Sequence, residues 1–405
     1  MVVQRGSACV VLTVEVEAHC DLTGWTAGPV SLALPGGAGA DRTRRMTYFE
    51  PRVVESLYGT ADRPVRHHRV LTVGPDTDVE AVELLRPPSA TAPLGGLAVF
   101  HVRLTGAPLE GVARLTDLGA GGHRYEALLP AGVRLAPDGQ RPLTISHVTF
   151  ADGLPAAPMP AAYDGWGARD QWLWLLASAT PVERFPPDPE DLSLFAGRVR
   201  FSADWQALVL RDGAAFLGTS PDPGDDTAFH ATAASLVRTI YLDAFLIGRL
   251  QTTGVNALAN TLAGLQVRET EARRLLALEG RLIELRRALW SSHITPHGKA
   301  NELLERFQEQ HRLPQLLDRV GTGLADASRY VEAARARRNG LALGLLSAVG
   351  LPFGVAYAAG ALWGDPGLTT LLVCTLVAVV ATAVLFLLLP PLRGLASDEL
   401  RKTED

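Results

Sequence analysis

Histidines, cysteines and carboxylates are the side chains of this sequence that could bind a metal or catalyse a reaction, and few of them are grouped. His293 and His297 are four residues apart, a spacing that places two ligands on one face of a helix, but Pro296 opposes a regular helix between them. A turn is therefore favoured over a zinc site. The adjacent His67 and His68 lie among arginines, and we interpret them as part of a solvated loop.

A second group of possible ligands, Glu17, His19, Cys20 and Asp21, follows the first predicted strand. Neighbouring side chains of an extended chain point to opposite sides, so this group is not expected to hold a metal. The sequence lacks the phosphate-binding motif GxxxxGK followed by Ser or Thr, the GxSxG motif, a GxGxxG motif behind a strand, and any CxxC pair. It therefore predicts a protein that is not an enzyme and carries no resident cofactor.

The composition separates two kinds of sequence within the 405 residues. The whole chain is 47% hydrophobic and 20% charged with a net charge of −5, which argues against a disordered chain and against a basic nucleic-acid binder. Residues 340–364 and 367–392 contain no charged residue. The apolar excess is therefore concentrated near the C-terminus.

Each uncharged stretch is long enough to cross a bilayer, because about 20 helical residues span the roughly 30 Å hydrocarbon core. We expect transmembrane helices at about 340–363 and 367–390; two adjacent buried core helices of this kind are the disfavoured alternative. Arg335, Arg337 and Arg338 precede the first stretch, and basic residues follow the second, whereas the loop between them has one acid and no base. The positive-inside rule places both termini in the cytoplasm. The expected location is the bacterial inner membrane, as a multi-pass protein.

The remaining sequence predicts a mixed α/β cytoplasmic domain at 1–226, a long helical stalk at 227–338, the two transmembrane helices within 339–392 and a tail at 393–405. Alternating or continuous apolar residues predict strands at 8–17, 30–34, 69–73, 98–104, 143–150 and 171–178. Asp212-Gly213 predicts the turn of a hairpin formed by 199–210 and 214–218. The fold class expected is therefore an α+β domain followed by stalk helices and a C-terminal transmembrane hairpin.

An apolar seam with coiled-coil spacing leads into the first transmembrane helix. Its members are Leu313, Leu317, Val320, Leu324, Ala327, Val331 and Ala334. One helix of about 70 Å could connect the cytoplasmic domain to the far side of the membrane. The seam favours self-association, with packing on the preceding helix as the alternative. Asp318 and Asp326 flank it and would form carboxylate rings in a parallel oligomer, weak sites for divalent cations; solvated charges are the other interpretation.

The two transmembrane helices differ in kind. Gly340 and Gly344, and again Gly350 and Gly354, are spaced i, i+4, which permits close helix packing in lipid. The second helix is rich in Leu and Val and suits a lipid-facing position. We expect an inner helix that packs on copies of itself and an outer helix; packing within one hairpin is the alternative use of the glycines.

This layout resembles the CorA family of divalent-cation transporters. The resemblance covers the whole chain as architecture, and at residue level it is confined to residues 337–363, where Leu351-Pro352-Phe353 is similar to the hydrophobic-proline step of the family's first span. The resemblance implies a homopentamer whose first transmembrane helices surround a pore. The family's Tyr-Gly-Met-Asn positions fall here on Gly360-Ala361-Leu362-Trp363, so the Gly-Met-Asn signature is absent.

The same alignment implies which residues of this chain line a pore. The axis-facing positions are Gly340, Gly344, Ser347, Leu351, Gly354 and Ala358. Leu362, Trp363 and Asp365 fall at the outer mouth, where Asp365 could concentrate cations, and Asn339 falls at the cytoplasmic entrance.

The expected function is a homo-oligomeric channel or transporter for divalent cations, Mg²⁺ or a transition metal, gated by the cytoplasmic domain. The alternative is a membrane-anchored sensor or scaffold of CorA-like architecture that does not conduct. The expected partners are the lipid bilayer, further copies of the chain and the transported cation, with no nucleic acid.

Overall fold

A computed structural model describes residues 2–17, 19–31, 38–73, 78–87, 95–116, 124–136, 141–225, 229–265, 272–290, 293–362 and 368–388. The chain forms two compact units. The first unit combines Met1–Gly264 with Ala277–Gly323, and the second combines Leu265–Leu276 with Leu324–Asp405.

The first unit is built on one ten-stranded sheet. Its strands are β1 (Val3–Val16), β2 (Thr26–Ala27), β3 (Arg66–Val70), β4 (Val79–Leu85), β5 (Gly96–Arg103), β6 (Val133–Leu135), β7 (Leu143–Phe150), β8 (Arg198–Arg200), β9 (Trp205–Val209) and β10 (Gly213–Gly218). The strand order is β2-β3-β4-β5-β1-β7-β10-β9-β8, and β6 also pairs with β1. The β7–β10 pair is parallel and the other strand pairs are antiparallel.

The helices are α1 (Ala38–Tyr48), α2 (Pro51–Tyr58), α3 (Pro108–Thr116), α4 (Ala168–Ser178), α5 (Phe229–Leu236), α6 (Leu242–Gly264), α7 (Ala272–Leu289), α8 (Gly298–His311), α9 (Leu313–Leu362) and α10 (Leu368–Leu388). A π-helical segment, Val237–Tyr241, joins α5 to α6. Helix α9 is 50 residues long and continues through Pro352, so at 1.5 Å per residue it is about 75 Å in length.

The strand predictions at 8–17, 98–104 and 143–150 are confirmed, and the one at 171–178 is wrong. The prediction at 69–73 overlaps β3 only at Arg69 and Val70, and most of the prediction at 30–34 lies outside the described residues. Strands β1, β5 and β7 lie where alternation predicts them, and the Asp212-Gly213 turn joins β9 to β10. Residues 171–178 belong to helix α4 instead of a strand. The run from Gln171 to Ala177 is buried on every side, so it shows no helical periodicity, and a continuous apolar run of this length fits either element.

The two faces of the sheet differ in polarity because successive residues of a strand point to opposite sides. One face carries Val148 and Phe150, and the Phe150 ring lies 5.1 Å from that of Trp172 on α4, within the main apolar core. The opposite face carries Phe216, which stacks on Tyr241 at 5.8 Å. The sheet is therefore covered by helices on both faces.

Next to the second of these faces lies a fully buried network of ion pairs. Asp243 of α6 accepts hydrogen bonds from Arg45 of α1 (3.1 Å), Arg66 of β3 (2.6 Å) and the Tyr58 hydroxyl. Arg66 also pairs with Glu83 of β4, whose second oxygen accepts the Val30 amide at 2.7 Å. The network joins three helices (α1, α2 and α6) and two strands (β3 and β4), and its two guanidinium groups balance its two carboxylates.

The arginines decide the protonation state of the two acids. Burial by itself raises the pKa of Asp243, but the charges of Arg45 and Arg66 outweigh burial and lower it. Burial also acts to raise the pKa of Glu83, and Arg66 holds it well below its usual range. Both carboxylates are therefore ionised at neutral pH, which is the state that satisfies the arginines.

The predicted coiled-coil seam of α9 is buried within the single chain. Leu313, Leu317, Val320, Leu324, Ala327 and Val331 are at most 7% exposed. In the first unit, the Cα of Gly321 faces Leu282 and Arg286 of α7. The sequence favoured self-association through this seam, and burial corrects that interpretation, because side chains already covered by their own protomer offer no contact surface to a second copy.

Neutralising Asp243 should destabilise the first unit strongly. Asp243→Asn leaves two buried arginines facing one carboxylate, and breaking a buried ion pair costs about 3–5 kcal/mol in the free energy of unfolding. Urea unfolding of the full-length protein in detergent, followed by tryptophan fluorescence, measures this loss. The control Asp326→Asn removes an acid whose side chain is 65% exposed, and it should cost less than about 0.5 kcal/mol. Equal losses in the two variants would contradict the role of the network.

Acidification should destabilise the fold through His147. This fully buried side chain on β7 has its pKa lowered to about 3 by burial first and then by the nearby His230, so the fold holds its neutral form. Its contribution to stability is complete above the unfolded-state pKa of about 6.5 and is lost as the pH falls towards the folded-state value. Between pH 7 and pH 5 the loss should be about 2 kcal/mol.

His147→Leu removes the titrating group from the same buried position. Its unfolding free energy should therefore fall less between pH 7 and pH 5 than that of the unaltered protein, as measured by urea unfolding at each pH. His19→Gln alters an exposed histidine and should leave the slope unchanged. A slope that is the same in all three proteins would exclude His147 as the cause.

Candidate functional site

The predicted pore residues lie on the C-terminal half of α9, beside α10 in the sequence, and both segments belong to the second unit. Helix α10 has 21 residues and no charged residue, so its length is about 31 Å. This is the thickness of the hydrocarbon core of a bilayer.

The two sides of α10 have opposite character. Its large aliphatic side chains are 45–66% exposed: Leu372, Val373, Leu376, Val377, Val379, Val380 and Val384. The covered side carries Cys374, Thr375, Ala378, Ala381 and Thr382, and Ala378 is completely buried. At 3.6 residues per turn the two sets occupy separate arcs of the helix. A soluble helix buries its large apolar side chains, so α10 has the reverse of a soluble pattern.

Helix α9 presents an open groove on one side. The groove has a volume of about 430 Å³ and is lined by Leu343, Ser347, Gly350, Leu351, Gly354, Val355 and Ala358. Ser347, Leu351, Gly354 and Ala358 are four of the six predicted pore-lining residues. Ala356 lies on the opposite side of the helix and is 8% exposed.

The groove is smooth because three of its positions carry little or no side chain. Apart from the neighbouring backbone of α9 itself, a Cβ atom added at Gly350 or Gly354 would meet no atom within 4 Å. Leu343, Leu351 and Val355 are each 65–66% exposed, and Ser347 supplies the one hydroxyl among the groove residues. The surface therefore combines exposed backbone, a single polar side chain and three aliphatic projections.

The other residues predicted for the pore lie elsewhere on α9 or outside the described residues. Gly340 and Asn339 are exposed on α9, and Gly344 belongs to the same helix. Leu362 ends α9 and is 87% exposed. Trp363 and Asp365, predicted at the outer mouth, lie outside the described residues, as does the tail at 393–405.

The two acids predicted to bind cations on the stalk belong to no group of metal ligands among the described residues. Asp318 is exposed, and Asp326 pairs with Arg329 of its own helix at 3.4 Å. Across the part of the chain that the structure describes, no three histidine, cysteine, aspartate or glutamate side chains are grouped to hold a metal ion. Within one protomer these two acids are therefore solvated charges.

The structure shows what surrounds three of the paired histidines, His297, His67 and His68. His297 precedes α8 and stacks on Tyr48 with ring centroids 4.4 Å apart. His67 and His68 belong to strand β3, where His68 Nδ1 contacts the Gly28 carbonyl oxygen at 2.9 Å. The interpretation of this pair as a solvated loop is wrong, because β3 is paired on both sides with β2 and β4.

Two side-chain pairs in the first unit resemble parts of catalytic sites and could not be found from sequence spacing. Cys9 Sγ lies 3.5 Å from His101 Nδ1, but both are fully buried, and burial raises the pKa of Cys9 to about 12, so the thiol remains protonated. Ser220 Oγ lies 3.1 Å from Nε2 of His230, whose Nδ1 has no hydrogen-bond partner among the described residues. Nε2 of His101 also faces Glu83 Oε1 at 3.6 Å, so the first pair has an orienting carboxylate, but all three side chains are fully buried away from any substrate. The second pair has no third group to orient His230 among the described residues.

Among the described helices, one passes a test of length and hydropathy for crossing a membrane. It is the run Phe229–Gly264, and 72% of its most apolar stretch is buried inside the protein. Because Asp243 of this run takes part in the buried ion network, the run is a core helix of the first unit. Helix α10 contributes a shorter apolar stretch, Leu372–Val384.

Comparison with known proteins gives no relative. No family model, no curated protein and no solved structure matches this chain.

A charge on the exposed side of α10 should prevent stable membrane insertion. Leu376→Arg places a guanidinium near the middle of the helix, where translocon-based scales assign a cost of about 3 kcal/mol. The fraction of protein retained in membranes after alkaline extraction should fall. The control Leu192→Arg alters a side chain that is 72% exposed in the first unit, and its retention should equal that of the unaltered protein. Full retention of Leu376→Arg would contradict a lipid-facing α10.

Proposed function

We propose that the chain is the subunit of a homo-oligomeric membrane channel that passes divalent cations, with α9 around the shared axis and α10 on the outside. The observation that carries this proposal is the division of the second unit into an aliphatic surface on α10 and a small-residue groove on α9. The resemblance to CorA transporters supports the same arrangement and suggests five subunits.

Lipid accounts for the surface of α10. An exposed face of seven large aliphatic side chains is stable where the surroundings are as apolar as the side chains themselves. The face at Cys374, Thr375 and Ala378 is small and weakly polar, which suits contact with another helix. With two such helices per subunit the proposed protein is multi-pass, and the arginines at 335, 337 and 338 favour termini in the cytoplasm.

Other copies of α9 account for the groove. Small residues allow helix backbones to approach closely in lipid, and repetition of the groove around an axis surrounds that axis with hydroxyl groups, backbone and few bulky groups. Leu351 is then the narrowest ring and Ser347 is a ring of hydroxyls one turn towards the cytoplasm. By the resemblance, Asn339 falls at the cytoplasmic entrance and Asp365, which lies outside the described residues, falls at the far mouth.

A path of this kind suits a cation that keeps its water shell. Mg²⁺ dehydrates reluctantly and prefers oxygen ligands, and the hydroxyls of Ser347 can contact its bound waters. No charged side chain lines the groove, so charge selection depends on Asp365 at the mouth. Transition-metal ions of the same charge use the same path in this proposal.

The rival proposal is a membrane-anchored sensor or scaffold that keeps the arrangement without conducting. It is favoured by the uncharged groove and by the absence of the Gly-Met-Asn signature from residues 360–363. The two proposals differ in what a groove substitution does: it changes ion flux in a channel and changes nothing measurable in an anchor.

Flux into liposomes separates the two. Vesicles containing the purified protein and an ion-sensitive dye should admit Mg²⁺, Co²⁺, Ni²⁺ or Zn²⁺ faster than empty vesicles. Leu351→Ala widens the narrowest ring and should raise the flux several-fold, whereas Ser347→Leu should abolish it. Val377→Ala, on the aliphatic side of α10, is the matched control and should conduct normally.

The channel proposal would be contradicted if the purified protein forms the proposed oligomer but the vesicles admit none of these ions faster than empty vesicles. A monomeric protein would contradict both the channel and the shared axis.

A further inference from the structure

A small pocket in the first unit concentrates positive charge. It lies between the end of β5 and helix α3 and has a volume of about 40 Å³. Its polar lining is Arg103, Thr105, Arg114, Arg124 and Asp78, over an apolar floor. Since one water molecule needs about 10–15 Å³ of cavity volume, the pocket has room for about three waters or one small ion.

The arginines of the pocket are incompletely neutralised. Arg103 pairs with Glu80 at 2.6 Å, but Glu80 also accepts Arg238 at 2.6 Å, so one carboxylate serves two guanidinium groups. Burial acts to raise the pKa of Glu80, and these two arginines lower it, so that it stays ionised. A positive surplus therefore remains beside the pocket.

The other two arginines add to this surplus. Arg124 lies over the ring of Tyr125, with its guanidinium carbon 5.4 Å from the centroid, and that contact leaves its charge in place. Arg114 has no hydrogen bond or ion pair with any residue that the structure describes. Asp78 is the one carboxylate in the lining, and it makes no ion pair within the described residues. The pocket thus carries a net positive charge, and the donors of the exposed Arg114 are free to bind a ligand.

We infer that this pocket binds a small oxyanion, namely inorganic phosphate or the phosphate group of a soluble metabolite. Guanidinium groups present paired N–H donors that match the oxygens of phosphate, and Thr105 adds a hydroxyl. The size of the pocket admits one tetrahedral anion and excludes a larger group from its floor. The inference concerns the first unit alone and does not depend on conduction by the second.

Calorimetric titration of the full-length protein with inorganic phosphate tests this assignment. The protein is kept in detergent free of phospholipid, so that lipid headgroups cannot supply the anion, and chloride holds the ionic strength constant. We expect one saturable site with a Kd of about 1 mM or tighter. Arg114→Ala should weaken binding about tenfold or more, because it removes a charge-assisted hydrogen bond. Asp78→Asn removes the opposing carboxylate and should tighten binding about threefold.

Two further variants keep the test specific. Arg114→Lys retains the charge but loses the paired donors, so its Kd should fall between those of the unaltered protein and Arg114→Ala. Arg184→Ala removes an exposed arginine elsewhere in the same unit and should bind phosphate normally. The assignment is overturned if phosphate at about 10 mM gives no binding heat, or if Arg114→Ala and Arg184→Ala bind equally well.

Discussion

The arrangement proposed for this protein depends on one constraint, the exposure of large aliphatic side chains along α10. Seven of them project from one side of a 21-residue uncharged helix, while on the other side Ala378 is buried and four small residues beside it are half-buried. Exposing such an apolar surface to water costs free energy, whereas exposing it to lipid does not. If α10 faces lipid, the groove of small residues on α9 is the surface through which subunits can meet. Ser347 and Leu351 then line the proposed path for the cation.

The first unit is organised by a different interaction, the buried network around Asp243. It connects α6 to α1 and β3, and through Arg66 to β4, and it requires both acids to be ionised and both arginines to be present. Ion pairs of this kind are directional, so they fix the register of a helix against a sheet more narrowly than apolar contacts do. A π-helical segment, Val237–Tyr241, ends two residues before Asp243, at the start of the helix that carries it.

Sequence reasoning succeeds here where one local pattern decides the structure. Alternation predicts β5 and β7, a Gly after Asp212 predicts a hairpin, and the uncharged run at 368–388 predicts a helix. It fails at α4, because a helix buried all round has no periodic pattern, and at the seam of α9, because spacing cannot tell a partner helix of another copy from α7 of the same chain. The network of Arg45, Arg66, Glu83 and Asp243 could not be predicted, since its members are up to 198 residues apart. Ser347 and Leu351 are pore residues only by the family resemblance, and both line the groove of α9.

Disulfide cross-linking in membranes tests the central claim most directly, because it reports which side of the hairpin meets another subunit. In a variant with Cys9, Cys20 and Cys374 replaced by alanine, a single cysteine is introduced by Ser347→Cys in the groove or by Val377→Cys on the aliphatic side. Under mild oxidation, Ser347→Cys should form covalent dimers of the chain and Val377→Cys should remain monomeric on a denaturing gel. Cross-linking at Val377→Cys with none at Ser347→Cys would contradict an arrangement in which α9 surrounds the axis and α10 faces lipid.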